Sequence, residues 1–160
     1  MAKLVDTRFE YIFDTLCDVT VALNAIDREI KTIDHIIIDL GVGNVDPSIE
    51  KRSIQELKSV LIDLRTKRDR TRRDYEYFYG LFTTNLANKS EETLRRDAKV
   101  FGEKEDEIRE EIFKLDNAHT NASEANRLRE LLRTRYNYIE VIYSFLDETN
   151  SLKSKHRKPI

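Results

Sequence analysis

The hydrophobic positions of this chain repeat at the spacing of a coiled coil. From Phe9 to Leu40 the a and d positions of successive heptads are all apolar, and no glycine or proline interrupts them before Gly41. A 3.5-residue repeat of this length predicts a long helix whose apolar seam packs into the grooves of another helix. The seam residues are Phe9, Ile12, Leu16, Val19, Leu23, Ile26, Ile30, Ile33, Ile37 and Leu40.

Turn signals separate this helix from a second one. Helix 1 is expected over about residues 4–40, because the glycine-rich segment 41–44 is a helix stop signal. Asp46 can cap helix 2, with Pro47 at its first position. The heptad then continues to about residue 87, and Gly80 predicts a bend on the way.

The second half of the chain predicts two more helices. Ser90 can cap helix 3, and a turn at residues 119–121 precedes helix 4, whose apolar stripe is wider than a strict seam. Such a stripe is typical of a helix with two apolar neighbours. We expect residues 1–152 to form a single helical-bundle domain, and the basic segment 153–160 to be a disordered tail.

The charge distribution predicts how these helices are arranged. Segments 1–46, 47–90, 91–119 and 120–160 carry net charges of −5, +4, −4 and +3. In an antiparallel bundle with short loops, each helix then lies beside neighbours of opposite charge. A charged fraction of 36% with few glycines and prolines is typical of long helices. The predicted fold is an all-α, coiled-coil-like bundle with up-down-up-down connections.

Unequal helix lengths predict an interaction surface. Helices 1 and 2 would be about 60 Å long and helices 3 and 4 about 45 Å, so the helix 1–2 hairpin should protrude by about 15 Å. Large exposed apolar patches usually mark a partner site. We therefore expect a homo-oligomer formed through this tip, which could also bind an unidentified protein. The expected interface residues are Ile33, Ile36, Ile37, Ile38, Leu40, Val42, Val45 and Ile49.

Three charged residues occupy seam positions. Folding the helices about their turns places Arg68, Glu105 and Arg135 in roughly one layer. We interpret the layer as a buried ionic cluster that sets the register, and a polar pocket for an anion is the alternative. In such a layer, Glu105→Ala would cost about 3–5 kcal/mol, because arginine charge would be left buried and unpaired.

A basic segment raises the alternative of a nucleic-acid-associated accessory protein. Residues 65–73 hold six basic side chains, and Tyr75, Tyr77 and Tyr79 follow directly. Stacking of bases on these tyrosines is one interpretation. We favour a core cluster of Tyr75 and Phe78 with aromatic residues of helix 1. The candidate nucleic-acid contacts are Arg70, Arg72, Arg73, Lys155, Arg157 and Lys158.

The sequence contains no catalytic motif that we can identify. It has no phosphate-binding glycine loop, Cys/His metal spacing or nucleophile motif, so we expect no enzyme activity and no cofactor. A weaker alternative is a helical hydrolase using the acidic residues of segment 106–111. With a single cysteine, a net charge of −2 and no membrane-spanning apolar run, we expect a cytoplasmic protein without membrane contact.

Overall fold

The computed structural model describes residues 6–42 and 47–156. Of these residues, 96% lie in α-helices and none in strands, which confirms the predicted all-α bundle. Within this part of the chain, no helix has an apolar stretch sufficient to cross a membrane. The helices are α1 (Thr7–Val42), α2 (Pro47–Asn88), α3 (Glu91–Ala118) and α4 (Ala122–His156).

Side-chain caps fix where three of the helices begin. Asp6, Ser90 and Asn121 each accept a hydrogen bond from the backbone N–H three residues later, at 3.2, 3.2 and 3.1 Å. These bonds satisfy amides that the first helical turn leaves without a partner. The predicted cap at Ser90 is confirmed, whereas Asp46 lies outside the described residues.

The end of α4 differs from the prediction. Helix α4 continues to His156, so the backbone of residues 153–156, expected to be part of a disordered tail, is helical. Lysine favours helical backbone, and positive charge is stabilised at a helix C-terminus. Residues 157–160 lie outside the described part of the chain. Helix α2 runs through Gly80 without interruption.

The chain divides into two compact units. The first, here called the bundle unit, contains the chain up to Val21 and from Phe78 onward, and so combines parts of all four helices. Its core is aromatic. Phe9, Phe13, Phe82 and Phe101 are fully buried, and the rings of Phe13 and Phe101 stack at 4.3 Å.

This aromatic core differs in membership from the predicted cluster. The rings of Phe9 and Phe13 belong to the core, as predicted. Their aromatic partners are Phe82 and Phe101, whose ring centres lie 6.0 and 5.4 Å from that of Phe9. Tyr75 lies in the other unit. The two added phenylalanines occupy seam positions of α2 and α3, so the heptad indicated their burial although not their ring contacts.

The second unit, here called the hairpin unit, contains residues 22–77. Its two helical segments bury one seam, against which Ile37 and Leu57 also pack. Asp34 and Arg65 pair at 3.9 Å across the hairpin. Burial restricted to a and d positions is the geometry of a two-stranded antiparallel coiled coil. The buried seam residues are Ile26, Ile30, Ile33, Leu61 and Leu64.

Candidate functional site

The predicted interface in the hairpin unit divides into buried and exposed residues. Ile33 lies in the hairpin core and Ile37 packs against it, so these two already have partners within the chain. Ile36 and Ile38 are 42% and 61% exposed. Leu40 is half-buried, and the side chains of Val42, Val45 and Ile49 lie outside the described part of the chain.

This division has a simple physical reason. Ile33 and Ile37 occupy seam positions, which two helices can cover for each other, whereas residues beside a seam need a third helix or a partner. Ile33 is therefore covered by the hairpin itself and Ile37 is covered in part, which the prediction of a partner interface did not include. Val60 and Ile62 on α2 are also exposed and add to the apolar surface of this unit.

The exposed apolar residues project from different sides of the hairpin. Successive helical residues rotate by about 100°, so Ile36 and Ile38 are about 200° apart around α1. The same geometry places Ile36 and Val60 on one flank of the antiparallel pair. The ion pair of Asp34 and Arg65 lies on the opposite flank. The flank of Ile36 and Val60 is therefore the one without this ion pair.

A buried polar network in the bundle unit surrounds Arg135. Its guanidinium donates hydrogen bonds to Asp14 at 2.6 Å and to the Phe101 carbonyl at 3.1 Å. It also lies 4.9 Å from the centre of the Phe13 ring, a cation–π geometry. Lys104 donates to the same aspartate at 3.2 Å. The charge of Arg135 is thus compensated by the Asp14 carboxylate of α1, the Phe101 carbonyl of α3 and the Phe13 ring.

This network differs from the predicted ionic layer. Glu105 is buried, but its ion pair is with Arg109 at 3.4 Å, on the same helix. Arg135 contacts the backbone of Phe101, one helical turn before Glu105, so the register of α3 against α4 is shifted by a turn. Arg68 belongs to the hairpin unit, and its buried Nε has no hydrogen-bond partner among the described residues.

A second polar cluster, which the sequence analysis missed, lies where α2 ends and α3 begins. Asp97 is fully buried, and the Lys89 ammonium approaches its carboxylate at 3.5 Å. The same ammonium donates to Asp6 at 2.8 Å and lies over the Phe9 ring. Burial raises the pKa of Asp97, whereas the hydrogen bond from Lys89 lowers the pKa of Asp6. Asp97 stands directly before the seam residue Ala98, which was the available signal.

Within the described part of the chain, the remaining chemistry-bearing side chains form no assembled centre. Cys17 is a buried free thiol, and burial raises its pKa, which disfavours the nucleophilic thiolate. Among the described residues, no group of three or more His, Cys, Asp or Glu side chains is placed to hold a metal ion. The acidic residues considered for a hydrolase, Asp106, Glu107, Glu110 and Glu111, are solvent-exposed.

The candidate nucleic-acid contacts are only partly described. Arg70, Arg72 and Arg73 are exposed on α2. None of them forms an ion pair with another described residue. The side chains of Lys155, Arg157 and Lys158 lie outside the described part of the chain.

A groove in the bundle unit has no counterpart in the sequence analysis. It has a volume of about 400 Å³ and lies between the end of α2 and the second half of α4. Leu86, Val141 and Phe145 supply its apolar lining. We call it the α2–α4 groove. Its polar lining consists of Thr83, Asn137, Glu140, Ser144 and Glu148.

Comparisons with known proteins add no functional assignment to these surfaces. No family model matches the chain, and no curated protein or solved structure shows significant similarity to it.

Proposed function

We propose that this protein is a non-enzymatic helical scaffold, adaptor or inhibitor that acts through protein contacts and self-associates through its hairpin unit. The observation that carries the proposal is the exposure of Ile36 and Ile38, next to a seam that the hairpin already fills. Branched apolar side chains in such positions gain free energy when a partner covers them. We further propose that it works in the cytoplasm, where its one cysteine would stay reduced.

A second copy of the hairpin is the partner that we favour. Two hairpins packed along their apolar flanks would make a four-helix arrangement, and a two-fold axis would bury the same residues on both subunits. Ile36 and Val60 share the flank that lacks the Asp34–Arg65 ion pair. We therefore expect this flank to carry more of the association than the flank near Ile38.

Replacing Ile36 and Ile38 by glutamate tests the proposal. The double variant Ile36→Glu/Ile38→Glu should be a folded, helical monomer, because neither residue belongs to the buried seam. Size exclusion with light scattering measures the mass. Of the single variants, Ile36→Glu should weaken association more than Ile38→Glu.

A matched control separates lost apolar contact from added charge. Thr32→Glu/His35→Glu places the same charges at exposed polar positions of α1, and this variant should stay associated. A monomeric wild type, or a double isoleucine variant that keeps its mass, would contradict self-association through the hairpin.

The second candidate function is nucleic-acid association through the basic segment of α2. The observation in its favour is that Arg70, Arg72 and Arg73 are exposed and have no ion pair with any described residue. With so few uncompensated cations, binding should be weak and should collapse between about 50 and 200 mM salt. Tight binding at physiological salt that Arg70→Gln/Arg72→Gln/Arg73→Gln abolishes would place this function first.

A further inference from the structure

The α2–α4 groove has a regular arrangement of apolar and acidic positions. Along α4, Asn137, Val141 and Phe145 are spaced four residues apart, and so are the members of the neighbouring row, Glu140, Ser144 and Glu148. Residues at this spacing line up along one face of a helix. The groove is therefore bordered by a mainly apolar row with a polar, acidic row beside it. Leu86 of α2 extends the apolar lining.

The charged residues in the two segments that line this groove have one sign. Segments 74–88 and 136–152, which include all of its lining residues, contain no lysine, arginine or histidine. Glu140 and Glu148 are exposed, and neither forms an ion pair with another described residue. Uncompensated carboxylates beside an apolar surface attract a ligand that is cationic at its edges and apolar at its centre.

We propose that the α2–α4 groove binds a basic amphipathic helix of a partner protein. Apolar side chains from successive turns of that helix would enter the groove and cover Val141 and Phe145. Lysine or arginine side chains beside them would approach Glu140 and Glu148. These two glutamates lie eight residues apart on α4, a spacing of about 12 Å, which matches basic residues two turns apart on the partner.

A helix fits this surface better than an extended peptide. Strand addition needs a sheet edge with unpaired backbone groups, whereas α2 and α4 satisfy their own backbone hydrogen bonds. Rows of side chains four residues apart form ridges and grooves that accept the ridges of another helix. This surface lies in the bundle unit, and its lining includes no residue of the hairpin unit.

A pair of designed peptides tests the proposal on the full-length protein. The first is a leucine–lysine helix of about five turns, with leucines on one face and lysines on both flanks. The second has glutamate at every lysine position and the same leucine face. Fluorescence anisotropy of labelled peptide should show saturable binding of the lysine peptide only. Its affinity should fall as salt is added, because the glutamates are exposed.

Variants of the groove locate the binding site. Glu140→Gln/Glu148→Gln should weaken binding of the lysine peptide by about two- to tenfold at low salt. Val141→Ser should weaken it by about three- to tenfold through lost apolar contact. Phe113→Ser is the apolar control, because Phe113 on α3 is exposed and does not line the groove. Glu107→Gln/Glu111→Gln on the exposed face of α3 is the charge control, and both controls should bind like the wild type.

Three results of the peptide-binding experiments would overturn the proposal. They are equal binding of the two peptides, no binding of either, and binding that the groove variants and their controls affect alike. The mass of Glu140→Gln/Glu148→Gln in light scattering identifies the occupant. An unchanged mass supports a separate partner protein, whereas a loss of association would assign the groove to a second copy of this chain. The hairpin variants should bind the lysine peptide normally, so failure of this proposal is distinguishable from failure of self-association.

Discussion

At the scale of single residues, one lysine lies between two carboxylates in different environments. Lys89 donates to Asp6, which is partly exposed at the start of α1, and approaches Asp97, which is fully buried. For Asp97 the loss of hydration dominates and raises the pKa. For Asp6 the hydrogen bond from the ammonium dominates and lowers the pKa. The two residues should therefore change stability with pH in opposite directions.

Asparagine substitutions test these opposite dependences. The pKa of Asp97 is higher in the folded protein than in the unfolded chain. The contribution of Asp97 to stability is therefore fully present below its unfolded pKa and is lost as pH rises through its folded pKa. Asp97→Asn should therefore gain stability relative to the wild type as pH rises from about 3 to 7. The lowered pKa of Asp6 stabilises the fold at neutral pH and the contribution disappears on acidification, so Asp6→Asn should lose stability relative to the wild type over the same range.

Urea denaturation at a series of pH values gives the free energy of unfolding for each protein. The decisive quantity is the slope, against pH, of the difference in unfolding free energy between each variant and the wild type. The new amide changes this difference by the same amount at every pH, so it does not affect the slope. Parallel pH profiles for Asp97→Asn and the wild type would contradict a raised pKa.

At the scale of the helices, sequence periodicity predicted the elements closely but not every contact between them. Apolar spacing and turn residues located four helices, and the Ser90 cap was read from one residue. The partner of Arg135 was not predictable in the same way. A shift of one turn between α3 and α4 replaces Glu105 with the Phe101 carbonyl, and seam patterns repeat too regularly to specify that shift.

The candidate functional surfaces were less predictable than the helices. Ile36 and Ile38 could be identified from the sequence, because they are strongly apolar and lie outside the a and d positions. The burial of Ile33 depends on how the two helices of the hairpin cover each other. The α2–α4 groove depends on how widely two helices that are distant in sequence separate. That separation is a tertiary property, and no local pattern in residues 83–148 encodes it.

The turn between α3 and α4 contains a strained position that offers a test. His119 caps α3 in the left-handed backbone region, with a φ of 49°. A residue with a side chain pays about 1–2 kcal/mol to adopt this backbone conformation, and glycine does not. Glycine instead lowers stability by about 0.4–1 kcal/mol, because it gives the unfolded chain more conformational freedom. His119→Gly should therefore raise the free energy of unfolding by about 0.5–1 kcal/mol.

The neighbouring residue supplies the control for this turn. Among the described non-glycine residues, positive φ occurs at His119 and Asn121, so Thr120 has an ordinary backbone conformation. Thr120→Gly should lower stability, because it adds freedom to the unfolded chain without relieving strain. Both changes are read from the urea midpoint at an unchanged m value. Equal effects of the two substitutions would show that the left-handed turn carries no strain.

At the scale of the whole molecule, the two units differ in what holds them together. The bundle unit has a core of fully buried phenylalanines to which several helices contribute. The hairpin unit has a single aliphatic seam between two helical segments. A two-helix unit buries less apolar surface per residue and opens more readily. Its stability should therefore depend on whether a partner covers its exposed isoleucines.

Hydrogen exchange at two protein concentrations tests this dependence. In dilute protein, amides in segments 22–41 and 51–77 should exchange faster than those around the buried phenylalanines. Raising the total concentration to about ten times the dimer dissociation constant should slow hairpin exchange by about fivefold, because about one fifth of the chains then remain monomeric. The bundle unit should show no such change. In Ile36→Glu/Ile38→Glu the hairpin should exchange rapidly at both concentrations, whereas concentration-independent protection in the wild type would mean that the hairpin is stable without a partner.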